Sequence, residues 1–95
     1  MDVSELQTQL QTLLTTRQKL ETQFQENKIV LEELAGVPED AKVYKLVGPV
    51  LLPQQHDDAV GNVEKRLEFI QKEIESVETR MDGLRKKAAE INAAS

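Results

Sequence analysis

Two runs of apolar residues with a seven-residue repeat, equal in length and separated by one non-helical stretch, constrain this chain more than any other feature. The first places Val3, Leu6, Leu10, Leu13, Leu20, Phe24, Leu31 and Leu34 at alternating steps of three and four. Arg17 and Asn27 occupy the two seam positions that lack an apolar residue. The second runs through Val60, Val63, Leu67, Ile70, Ile74, Val77, Met81, Leu84, Ala88 and Ile91 without a polar interruption. This spacing is the a/d seam of a coiled coil, narrower than the stripe of a globular helix. Each seam spans about 46 Å at helical rise. Two equal seams joined by a bend fold back on each other, so that facing residue numbers sum to roughly 94. Leu34 then meets Val60, Phe24 meets Ile70, Leu13 meets Met81 and Val3 meets Ile91.

The expected helices cover 2–35 and 57–94. Asp2 caps the first, with Glu5 three residues on as a capping-box partner. Gly36 as a C′ residue, followed by Pro38, stops it. Asp57 and Asp58 supply an N-cap and favourable charge for the second. Glu68–Lys72 and Asp82–Lys86 have the spacing of intrahelical ion pairs. Arg17 and Asn27 read as polar seam positions that fix register. The alternative is a ligand or partner contact inside the seam.

Between the arms, residues 43–53 have strand character. Val43, Tyr44, Leu46 and Val47 precede the turn pair Gly48-Pro49, and Val50, Leu51 and Leu52 follow it. Alternation puts apolar residues on both faces of this hairpin. Two strands alone are marginal in water. Either they fold down onto the helix ends, or their edges pair with strands of other chains and close into a barrel. Ile29, Val30 and Phe69 lie off the seams near the bend and widen the apolar surface there, which favours intersubunit pairing. The fold class is thus mainly α: a single domain over 1–95, an antiparallel two-helix coiled coil joined by a β-hairpin that builds an intersubunit β-barrel.

Composition excludes several functions. Aromatics make up 3% of the chain and charged residues 31%, which suits a solvated helical surface better than a compact core. A net charge of −5 opposes non-specific binding to nucleic acid or to an anionic membrane. No apolar run approaches the ~20 residues of a membrane span, and the acidic start lacks the basic character of a targeting peptide, so the expected location is the cytoplasm. Cysteine is absent, which removes disulfides and thiolate chemistry. The four glycines are scattered and form no phosphate loop. His56 reads as a solvated loop residue, and the carboxylates lie on helix exteriors without a pocket. Arg85-Lys86-Lys87 reads as helix solvation, since no aromatics accompany it. No enzyme, metal site or cofactor is expected.

Helix, β-hairpin and helix, with Val43-Tyr44-Lys45-Leu46-Val47-Gly48-Pro49-Val50-Leu51 at the bend, resembles the β-class subunits of prefoldin. Arg17-Gln18-Lys19-Leu20-Glu21, Glu26-Asn27 and Arg66-Leu67-Glu68-Phe69-Ile70 are similar to that family as well. The resemblance implies a heterohexamer of two α-class and four β-class subunits, built on a double β-barrel from which six coiled coils hang. It implies that the tips hold unfolded actin and tubulin chains and pass them to the cytosolic chaperonin without nucleotide. Carried onto this chain, the strand residues Val43 to Leu52 serve assembly, and Val3, Leu6, Leu10, Leu84, Ala88 and Ile91 serve client contact. Pro53 lacks a backbone donor, so it ends the second strand or places it at an edge. The chain departs from the family there, where a lysine is more usual, which implies an early end to the strand. It is also shorter at both ends than typical members. The rival reading is a structural or tethering coiled coil whose bend is only a turn.

Overall fold

The computed structural model of the chain describes residues 2–94. Helix α1 spans Val3–Ala35, strand β1 Val43–Val47, strand β2 Val50–Gln54 and helix α2 His56–Ala94. The helices lie antiparallel and the strands form a two-stranded antiparallel sheet at the bend. The molecule measures 66 × 25 × 14 Å, a rod two helices wide. Among the described residues no helix is long and apolar enough to cross a membrane.

α1 is rich in threonine and glutamine, and outside its seam its large apolar residues are Leu14, Ile29 and Val30. The hydroxyls of Thr8, Thr12, Thr15, Thr16 and Thr22 each donate to the carbonyl four residues back, so they are satisfied within the helix. Oδ1 of Asp2 accepts the N–H of Glu5 at 2.8 Å, the expected N-cap. Gly36 ends the helix without the left-handed conformation that a C′ glycine commonly takes. Gly36 has φ of −82°, and its N–H reaches the carbonyls of Glu32 and Glu33 instead. The helix tightens at its last turn and stops before Pro38, whose ring blocks continuation.

The seams pack as their spacing requires. Leu6, Leu13, Val77, Met81 and Leu84 form one buried cluster, with Leu10, Leu14, Leu20, Ala88 and Ile91 packed against it. Leu13 thus lies with Met81, as the antiparallel register demands. Toward the bend, Val63, Ile70 and Ile74 continue the core. Here the burial departs from a strict seam, because Ala59 is buried and Val60 only partly so. The small side chain of Ala59 suits the narrow space where the arms meet the hairpin. Asn27 remains at its seam position by folding its amide back to the Gln23 carbonyl at 2.8 Å. Arg17 is also half-buried in the seam, its Nε 3.6 Å from Glu21 and without a hydrogen-bond partner.

Three local expectations change. α2 starts one residue early: the Gln55 carbonyl accepts the N–H of Ala59, so Asp57 and Asp58 lie inside the first turn and contribute charge rather than the cap. Glu68–Lys72 pairs at 3.3 Å, but Asp82 meets Arg85 at 3.4 Å, not Lys86. β2 does not end at Pro53 but runs through it to Gln54, so of the two readings of that proline the edge position holds. The register explains this, since Pro53 sits opposite Tyr44 at a position whose N–H would point away from β1.

Candidate functional site

The hairpin turns on Gly48, whose φ is +60°, followed by Pro49, whose ring fixes φ at about −65°. Positive then negative φ is the type II′ pattern, whose twist matches that of paired strands. It sets Val47 opposite Val50, and the register continues to Val43 opposite Gln54. Tyr44, Leu46, Leu51 and Pro53 therefore share one face, and Val43, Lys45, Val47, Val50, Leu52 and Gln54 the other.

Neither face is covered. Leu46 is 67% exposed and Leu51 62%, and Tyr44, Val47, Val50 and Leu52 are exposed as well. Ile29 and Val30 are exposed near the end of α1, and Phe69 is exposed farther along α2, in the half of the arm nearer the bend. Phe69 borders a shallow groove between the arms that Leu20, Asn27, Arg66 and Ile70 also line. Apart from Val3, every exposed large apolar side chain among the described residues lies on the hairpin or in the half of the arms nearer to it. Val43 is the exception within the expected assembly set. It is half-buried at the base of the hairpin, in a cleft shared with Leu34, Ala59 and Val63. The strands have not folded down onto the helices.

The far end is different. Val3 is exposed, while Leu10, Ala88 and Ile91 are half-buried. Leu6, at 1% exposed, and Leu84 are inside the core. They are covered because each arm's seam packs against the other's. As folded, the surface at this tip comes from Val3, Leu10, Ala88 and Ile91.

His56 is not a solvated loop residue. It is the first residue of α2, and its Nε2 donates to the Leu34 carbonyl at 2.7 Å. That carbonyl belongs to the last turn of α1, where backbone acceptors lack helical partners. The ring thus ties the end of one arm to the start of the other. Nothing local in the sequence signals it, because the partner lies 22 residues away and meets His56 only after the chain folds back. Among the described residues no group of three His, Cys, Asp or Glu side chains could hold a metal ion.

Comparison with known proteins agrees with this arrangement. The family model described as "Prefoldin subunit" matches residues 1–94. Prefoldin subunit 6 of Saccharomyces cerevisiae is 57% identical over 70 residues, covering 74% of this chain and 61% of its own. Prefoldin subunit 6 of Homo sapiens is 42% identical over 84 residues, covering 88% of this chain and 65% of its own. The chain thus spans less than two thirds of the length of these relatives. The crystal structure of the prefoldin beta subunit from Thermococcus strain KS-1 superposes with a TM-score of 0.91 at 30% identity, over 96% of this chain and 80% of that one. Two helices, an exposed hairpin between them and a family match along nearly the whole sequence coincide in one conclusion: the chain belongs to the prefoldin subunit family.

Proposed function

We propose that this chain is one subunit of a hexameric, ATP-independent holdase that assembles with α-class and β-class prefoldin subunits through its hairpin. The holdase binds non-native chains of the actin and tubulin type and passes them to the cytosolic chaperonin. One observation carries the reading: the exposed apolar surface is concentrated on a two-stranded sheet with both edges open. A tether would need only a polar turn at that place. Pairing the edges with other subunits buries Leu46, Leu51 and their neighbours and removes the edge liability. Ile29, Val30 and Phe69 extend the same contact onto the helices, and Val43 supports it from below.

Client contact falls to the opposite end. Val3, Leu10, Ala88 and Ile91 supply weak apolar contacts there, and Leu6 and Leu84 join them when the arms part. Several such tips on one assembly act at high effective concentration on one client, which gives strong retention from weak contacts. Native mass spectrometry of the chain co-expressed with its partner subunits is the test. A defined hetero-oligomer containing this chain is expected, and a stable, monodisperse monomer in their presence would contradict the platform. Val3→Asp with Ile91→Asp should then reduce suppression of client aggregation while leaving that oligomer intact. Loss of the oligomer instead would make the tips structural.

A further inference from the structure

The two edges of the hairpin offer different chemistry. A two-residue loop makes Val47 and Val50 a hydrogen-bonded pair. Alternation then points the backbone groups of Tyr44 and Leu46 outward from β1, and those of Leu51 and Pro53 outward from β2. None of the outward N–H groups finds a partner in the turns and loops of the described residues. β1 therefore presents a donor and an acceptor at both positions. β2 presents two acceptors but a single donor, Leu51, because proline has no N–H.

A second copy of the chain fits neither edge well. Two copies overlapping fully through β2 would set Leu51 against Pro53 twice and lose half of the possible bonds. Full overlap through β1 keeps every bond. It also puts Lys45 directly opposite the same lysine of the other copy, in a pair whose Cα atoms lie about 4.5 Å apart. Like charges in that position are destabilising. Lys45 is exposed, and the ion pairs of the described residues all involve other side chains. A head-to-tail contact of β1 on another copy's β2 would leave the Tyr44 carbonyl facing Pro53 and Lys45 facing Leu52.

We infer that the outer edge of β1 is built for an antiparallel strand of a different chain, with no proline at its bonded positions and a carboxylate opposite Lys45. Such a strand makes every available ladder bond and neutralises the lysine. This rests on the hairpin being the assembly surface, and it names the edge and the chemistry of the partner.

The probe is the chain carrying Lys45→Glu. Mixed with unaltered chain, it supplies the missing carboxylate on an otherwise identical strand. Sedimentation and native mass spectrometry should find the mixed dimer about fivefold tighter than either pure dimer, with the preference erased by high salt. Leu46→Pro in both partners should abolish the mixed dimer, because that N–H points outward and its loss costs the hairpin itself no ladder bond. Leu51→Pro should leave the mixed dimer in place. Circular dichroism verifies that the helices survive each change. A mixture that pairs no better than the unaltered chain overturns the inference, as does sensitivity to Leu51→Pro with Leu46→Pro tolerated. Co-expression with the partner subunits separates the two possible failures. An assembly that forms and ignores Leu46→Pro sinks the edge assignment alone, whereas no assembly from the unaltered chain sinks the platform reading.

Discussion

Gly48 holds a backbone angle that side chains oppose. Its φ of +60° lies in the left-handed region, although a Cβ there would meet nothing within 4 Å. Gly48→Ala should therefore act through backbone strain alone, costing the hairpin about 1–2 kcal/mol. Amide exchange across β1 and β2 should quicken while the helices' protection stays the same. His56 acts between elements. His56→Ala removes the donor that ties α2 to the Leu34 carbonyl and leaves that oxygen only the N–H of Val37 at 3.1 Å. It should cost about 0.5–1 kcal/mol, seen as a fall of a few degrees in the thermal midpoint. The two residues differ in how they can be read. A Gly-Pro pair between apolar runs announces a turn by its own chemistry. A histidine that caps a distant helix has no local signature.

The helices were legible because a coiled coil repeats one rule many times. Each of Leu13, Ile74 and Met81 confirms the position of the next, so single irregularities at Arg17 and Asn27 do not obscure the seam. Met81 is 2% exposed, and Met81→Ala should cost about 2–5 kcal/mol, measurable by urea unfolding. Arg17→Leu should do the opposite and raise stability by about 1 kcal/mol, because Nε of Arg17 has no hydrogen-bond partner to lose. Where the repeat stops, sequence reading weakens. Ala59 replaces Val60 at the last contact because the incoming hairpin sets the helix start. Pro53 continues β2 because only the register decides which way a missing N–H would have pointed. Both are properties of the joint between elements, not of either element.

At the scale of the whole molecule, the core and the exposed apolar surface occupy different regions. The seam stabilises the rod, and the hairpin contributes little to it. Replacing residues 43–54 with a flexible Gly-Ser linker should therefore leave helical circular dichroism nearly unchanged and remove co-assembly in native mass spectrometry. Among the assembly residues, exposure followed from an apolar surplus that one hairpin cannot bury. At the tip, the burial of Leu6 and Leu84 was harder to foresee, because heptad spacing marks which residues face a partner arm but not how far the pairing persists toward a free end. The joint between hairpin and arms is also unequal. Only Gln55 separates β2 from α2, whereas residues 36–42 lie between α1 and β1. If the sheet is held fixed by its neighbours, α2 acts as the stiff member of a lever and α1 is carried along through the seam and His56. On a rod 66 Å long, a tilt of about ten degrees at Gln55 would sweep the far tip through roughly the diameter of a helix, so small adjustments at the base set how wide a gap the tips can span.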